Sequence, residues 1–364
     1  MSPGPRGNAP PPPALDERPR GRGASWNPQN RFETLEYVRD EEAPPLEDGE
    51  LAPKTLYLRD PTRQIITTND SPDVGFEASI NPYRGCEHGC IYCFARPTHE
   101  YLGFSAGLEF ESKILVKEDA PELLRDELAS PKWEPKIIAI SGVTDAFQPI
   151  ERKLEITRRC LAVLADFRNP VTIITKNHLV TRDADHLAEL ARFDAAQVMV
   201  SITTLDPKLA NIMEPRTSTP SMRLAAIETL AKAGVPVGVM VAPVIPAITD
   251  SEMPKILAAA RDAGATVAGF VVLRLPWAVA PLFEQWLDEH YPDRKEKVLN
   301  RIRDLRGGKL YDPRWGVRGR GEGIFADQIA AIFDVTTRKL GMNERKYELS
   351  VAAFRRRGRQ ASLF

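Results

Sequence analysis

The middle of the chain alternates between short, nearly continuous apolar runs and longer stretches in which apolar residues recur every third or fourth position. The runs Ile137–Ser141, Val171–Thr175, Val198–Ile202, Val235–Val241 and Val267–Leu273 are rich in β-branched residues, which suit a pleated, covered surface. Between them, Leu154–Phe167, Ala184–Phe193, Ser221–Ala233 and Ser251–Ala263 carry an apolar stripe on one face and predict amphipathic helices. Strands without polar alternation are buried on both faces, and regular strand–helix alternation predicts a parallel sheet with helical crossovers. With a first strand near Ala78–Tyr83, six βα units fit. The expected architecture is therefore an α/β fold, a partial or open (βα)6 barrel of the TIM type, with chemistry gathered at the C-terminal ends of its strands.

The flanks differ in kind. Residues 1–53 combine the proline run Pro10–Pro13, Gly/Arg pairs and the acidic cluster Asp40, Glu41, Glu42 with little apolar periodicity, so a mostly disordered extension is expected there. Residues 54–276 form the expected core, and residues 277–364 a basic, mainly helical region in which the strand–helix rhythm stops. Net charge is −1 overall, but Arg294–Phe364 holds 18 Lys/Arg against 8 Asp/Glu, an asymmetry that suits either a polyanionic partner or a solvated surface. No run approaches the roughly 20 apolar residues of a membrane span and the Pro-rich start lacks a secretory pattern, so a cytoplasmic protein with no membrane contact is expected.

Four cysteines are too few for a disulfide framework, and three of them fall within eight residues: Cys86-Glu-His-Gly-Cys90-Ile-Tyr-Cys93. Three thiolates can each hold one iron of a cubane 4Fe-4S cluster and leave the fourth iron open for chemistry. A zinc ion held by the same thiolates with His88 or His99 is the competing reading, although no second Cys pair follows to close such a site. The remaining Cys160 stands inside the helical stretch Leu154–Phe167, where a small buried hydrophobe is the default role of a free cysteine.

The spacing Cys-x3-Cys-x-aromatic-Cys at the start of a six-unit βα pattern resembles the radical S-adenosylmethionine (SAM) superfamily. That resemblance implies a 4Fe-4S cluster on Cys86, Cys90 and Cys93, and SAM chelated to the open iron. It also implies reductive cleavage of SAM to a 5′-deoxyadenosyl radical, and hydrogen abstraction from a substrate, with an electron donor such as flavodoxin or ferredoxin. Within the superfamily, Asn81–Cys86, Cys93-Phe-Ala-Arg96 and Thr144–Glu151 resemble the spore photoproduct lyase-like group, also called DNA repair photolyase-like, over roughly Thr55–Pro276. By this resemblance Tyr92 lies beside the adenine, and Thr144, Asp145, Lys176 and Ser201 contact SAM. An aspartate suits an α-amino group, a lysine a carboxylate, and a serine ribose or carboxylate oxygens. The group's enzyme has a hydrogen-returning cysteine three residues before the aspartate, where this chain has Gly142. Thymine-dimer reversal by that route is therefore not expected, the substrate stays open and no catalytic residue is assigned. From a different class, a zinc- or cluster-binding nucleic-acid-binding protein without catalysis is the alternative.

Two features of the basic region suggest partners. Arg314–Gly323 interleaves Arg and Gly with Trp315, and Tyr311 lies just upstream, a composition that could track a phosphate backbone while an aromatic stacks on a base. The last residues, Gln360-Ala-Ser-Leu363-Phe364, resemble the short peptides with which bacterial proteins dock on the DNA polymerase sliding clamp. There Gln360 would fix the register, and Leu363 and Phe364 would enter an apolar pocket.

Overall fold

The computed structural model describes residues 21–32, 54–344 and 347–356. Ten strands form two sheets: β1 Leu56–Arg59, β2 Ile66–Thr68, β3 Ala78–Ile80, β4 Tyr83–Arg84, β5 Lys113–Val116, β6 Ile138–Ile140, β7 Val171–Thr175, β8 Ala196–Ser201, β9 Val237–Val244 and β10 Val267–Val272. The larger sheet runs β10-β9-β8-β7-β6-β3-β2, with the six strands β3 and β6 to β10 parallel and β2 antiparallel at the edge. This is the six-unit partial barrel expected from the sequence. The smaller sheet, β1-β5-β4, stands beside it.

The expected first strand, Ala78–Tyr83, breaks in two. Pro82 has no N–H to give a ladder, its carbonyl accepts from Lys117 N (3.0 Å), and Tyr83–Arg84 turns into the smaller sheet against β5. The expected helix Leu154–Phe167 likewise breaks at Glu155, which adopts φ +51° between short Glu151–Leu154 and longer Ile156–Phe167. The longer helix buries Ile156, Cys160, Leu161, Val163, Leu164 and Phe167, the spacing of one helical face. Each large apolar side chain so placed contributes about 1.5–3 kcal/mol.

Outer-face residues of the sheet, such as Val171, Ile173, Val198 and Val200, are fully covered by the helices. Inner-face residues Thr172, Ile174, Lys176 and Gln197 are only half-buried, because the barrel interior is hollow. The chain was expected to bury both faces, and the inner face lines a cavity instead.

A barrel of six parallel strands leaves an open edge at β10, and the basic region covers it. The Asn343 side-chain amide pairs with both backbone groups of Ala268 (2.8 and 3.1 Å), and the Gly319 carbonyl accepts from Val272 N at 2.8 Å. Residues 347–356 then cross the opposite end of the barrel, where Ser350 N reaches Asp194 O and Arg355 N reaches Phe167 O. Unpaired strand edges invite pairing with other chains, so covering them is itself a structural task. Among the described residues no helix is long and apolar enough to cross a membrane.

Candidate active site

The cysteine loop leaves β4 and is fastened from every side. Cys86 N donates to Phe110 O, Ile91 N to Met213 O and Cys93 N to Cys90 O. The fully buried Arg96 donates to Cys90 O (3.0 Å), Ala106 O and Gly107 O, and pairs with the equally buried Glu111. Gly89, at φ +66°, lets the loop turn where a side chain would strike the Glu111 carboxylate. Against its carbonyl lies Gly23, where a β-carbon would stand 1.6 Å from Gly89 O. The segment 21–32, expected to be without structure, is thus packed under the loop, with Gly23 N and Ala24 N both donating to Glu111 (2.9 and 2.7 Å). The rest of residues 1–53 lies outside the described residues.

All three thiols are free, Cys86 and Cys90 are buried, and burial pushes both of their pKa values up. Among the described residues no group of three His, Cys, Asp or Glu side chains is arranged to hold a single metal ion. The two histidines that would complete a zinc site are engaged elsewhere. His88 Nε2 meets Asn177 Nδ2 at 3.1 Å and its Nδ1 faces Asp145 at 3.4 Å, and His99 packs between Phe104 and Phe110. Burial lowers the His88 pKa to about 4, so its ring is neutral at pH 7. Three free thiols on one loop with no histidine turned toward them fit a cluster whose irons are held one per thiolate.

Cys90 and Cys93 open on a cavity of about 850 Å³ that runs into the barrel. Tyr92, Lys176 and Ser201 line it too, so three of the five SAM-contact candidates converge on one wall. Lys176 Nζ lies 5.8 Å from the Tyr92 ring centre, and among the described residues it has no ion pair or hydrogen bond and the Ser201 hydroxyl has no hydrogen-bond partner.

Thr144 and Asp145 are placed differently, since neither is on the cavity wall. The Thr144 hydroxyl donates to Tyr83 O at 2.9 Å. The Asp145 carboxylate accepts from Thr175 Oγ1 (2.8 Å), Lys176 N (2.8 Å) and Phe147 N (2.9 Å), besides facing His88. With its lone pairs so used, it ties the ends of β6 and β7 to the histidine inside the cysteine loop. Gln148 does similar work, accepting from Glu87 N and donating to Gly85 O.

Sequence reasoning missed Glu214 and Arg223. Both are fully buried; Arg223 pairs with Glu214, and its other guanidinium nitrogen donates to Ser201 O (3.1 Å). Glu214 in turn accepts from the Tyr92 and Thr203 hydroxyls. This chain of contacts fixes the loop tyrosine relative to β8, so the aromatic is held by its hydroxyl as well as its ring. Burial raises the Glu214 pKa while Arg223 opposes the shift. The only sequence sign was an arginine on the apolar face of helix Pro220–Lys232.

Residues 80–260 match the radical SAM superfamily. The chain belongs to the radical SAM superfamily. It is 37% identical over 243 residues to an uncharacterized protein of Mycobacterium tuberculosis, covering 66% of this chain and 70% of that one. It is 28% identical over 227 residues to an uncharacterized protein of Methanocaldococcus jannaschii, covering 62% and 81%. Among solved structures, a spore photoproduct lyase variant superposes with a TM-score of 0.58 at 19% identity over 79% of this chain and 80% of the other. The same lyase complexed with dinucleoside spore photoproduct gives 0.54 at 20% identity, over 78% of each chain. These likenesses show a shared fold. The superfamily makes this chain an enzyme and implies an iron–sulfur cluster and SAM.

Several arginines of the basic region are engaged within the protein. Arg306 donates to Leu273 O (2.9 Å), Arg314 pairs with Asp312 and Glu322, Arg318 with Asp73, and Arg320 lies 3.8 Å over the Phe270 ring. Arg355 and Arg356 donate to the carbonyls of Asp166 and Trp133. The Arg-Gly loop bridges the two edges of the open barrel through Gly319 O and Arg318, with Trp315 left exposed. Gln360, Leu363 and Phe364 lie outside the described residues.

Proposed function

We propose that the chain binds a 4Fe-4S cluster through Cys86, Cys90 and Cys93, cleaves SAM reductively in the adjoining cavity, and abstracts hydrogen from a substrate bound deeper in the barrel. The observation that carries this reading is the convergence of free thiols, an unpaired Lys176 ammonium, the Ser201 hydroxyl and the Tyr92 ring at the head of one cavity. When bound, the cluster supplies the electron that splits SAM into methionine and a 5′-deoxyadenosyl radical. The protein's own residues do the positioning. Lys176 neutralises the SAM carboxylate, Ser201 meets a polar oxygen, and Tyr92, pinned through Glu214, gives the adenine a fixed face. The hollow, largely apolar barrel keeps water from a radical formed there. Asp145 holds the loop through His88, a positioning task distinct from SAM contact.

The test is anaerobic reconstitution followed by iron, sulfide and SAM measurements. About four irons and four sulfides per chain, with 5′-deoxyadenosine formed under a strong reductant, are expected. A single zinc and no SAM cleavage would defeat the reading. Lys176→Met is expected to weaken SAM binding about 10- to 100-fold, the worth of one charge-assisted hydrogen bond, at unchanged iron content. Asp145→Ala is expected to act in reverse, lowering iron retention more than SAM affinity.

The DNA-associated part of the proposal rests on the tail. Gln360, Leu363 and Phe364 are proposed to dock on a sliding clamp, which would bring the enzyme to DNA. Burying Leu363 and Phe364 contributes about 1.5–3 kcal/mol each before ordering costs, so the two anchors alone support weak binding, millimolar to tens of micromolar, for so short a peptide. Calorimetry of a peptide spanning Arg355–Phe364 against purified clamp is expected to show such binding. A peptide with both anchors changed to Ala should show none, and equal heats from the two peptides would remove the idea.

A further inference from the structure

Two cations on the cavity wall, Lys176 and Arg274, make no ion pair among the described residues, and SAM has one carboxylate. Lys176 follows β7, beside Tyr92 and Ser201; Arg274 follows β10, with β8 and β9 between them. Arg274 lines the cavity, and its guanidinium lies 4.0 Å over the ring of Phe94, the residue after Cys93. Among the described residues it makes no hydrogen bond and no ion pair. Of the two acids on the wall, Asp73 is already taken by Arg318 and by Gly316 N (2.7 Å), and Glu348 makes no ion pair with Arg274. Burial, and then Arg318, lower the Arg274 pKa, as expected for a guanidinium with no anion of its own. Keeping such a charge in a half-buried wall is costly unless a ligand supplies the anion.

The cavity, about 850 Å³, lies toward the upper end of the roughly 300–1,000 Å³ of a ligand pocket, and it runs from the SAM wall down to the inner-face residues of the barrel. On the inner face, the directly paired Thr172 and Gln197 present a hydroxyl and a carboxamide to the hollow, neither with a hydrogen-bond partner among the described residues.

We infer that the substrate is an organic anion whose phosphoryl or carboxylate group is gripped by Arg274, while its uncharged polar groups reach Thr172 and Gln197. A guanidinium fixed against an aromatic ring presents its donor fork in one plane, which matches the bidentate geometry of an oxyanion. This assignment rests on the proposed SAM site occupying the Lys176 wall, because otherwise Arg274 could serve the SAM carboxylate itself.

The test uses full-length reconstituted protein and two simple probes, inorganic phosphate and acetate, titrated by calorimetry with and without SAM. Arg274→Met is expected to weaken anion binding about tenfold or more and leave SAM affinity within twofold; Lys176→Met should do the opposite. Iron content and unfolding midpoint, equal to wild type, show that each variant is folded. Tighter phosphate than acetate binding assigns a phosphoryl substrate, and the reverse a carboxylate. The inference is overturned if neither probe binds the wild type, if Arg274→Met binds them normally, or if it loses SAM as severely as Lys176→Met. Anion binding through Arg274 in a protein that never binds SAM would sink the cofactor reading and leave the anion site standing.

Discussion

Changing any one of Cys86, Cys90 or Cys93 to Ala is expected to remove 5′-deoxyadenosine formation to below detection and to lower bound iron sharply. The loop that carries them is clamped by backbone hydrogen bonds at Cys86, Cys90, Ile91 and Cys93, so no neighbouring donor can swing in to replace a lost sulfur. His88 and His99 are the nearest alternatives by sequence, and each is held away, one on Asp145 and Asn177, the other among aromatic rings. Cys160→Ala is the control. That thiol is fully buried in helix Ile156–Phe167, so its removal should cost stability at the scale of a small core truncation and leave SAM cleavage intact. Anaerobic iron analysis beside product quantification checks both. Full SAM cleavage by any one of the three loop variants would end the cluster assignment.

The barrel was legible because its outer face obeys simple rules. Val171–Thr175 and Val267–Val272 were found where their β-branched runs stand, and the helices between them begin and end close to their apolar stripes. Breaks inside elements were less visible. Pro82 signals a strand end only once the partner of Tyr83 is known, and the left-handed turn at Glu155 has no glycine to announce it. The hollow interior was invisible for a physical reason: alternation between Ile173 outside and Thr172 or Ile174 inside looks like a strand buried twice, because a cavity wall and a core both favour apolar residues.

The site was legible where chemistry needs particular atoms and obscure where it needs only support. Three cysteines in eight residues stand out in the sequence, and the structure brings Tyr92 of their loop to the same cavity as Lys176 and Ser201 at the ends of β7 and β8. Asp145 lies off the cavity wall, and its carboxylate is engaged by the N–H and hydroxyl donors around it, contacts that the sequence does not announce. Glu214, Arg223, Arg96 and Glu111 are charged residues that sequence reading assigns to the surface by default. They are fully or nearly fully buried here because each finds its opposite in the neighbouring element, around the intervening loop.

The largest stability effect is expected at Glu111. Its carboxylate is buried, pairs with buried Arg96, and accepts from Gly23 N and Ala24 N, so it joins the N-terminal segment to the cysteine loop through one side chain. Truncation to Ala leaves the Arg96 guanidinium without its counter-charge in the interior, a defect of about 3–5 kcal/mol. Arg96 also holds the Cys90 carbonyl, so the damage should reach the loop as well as the global fold. Deleting residues 1–32 is the milder companion. It removes the contacts of Gly23 and Ala24 and exposes the Gly89 turn, yet keeps the Arg96–Glu111 pair intact. Chemical denaturation should show a large loss for Glu111→Ala and a smaller one for the deletion, while both lose iron faster than wild type during anaerobic desalting. A deletion variant with the denaturation midpoint and iron retention of the full chain would show that segment 21–32 rests on the loop without supporting it.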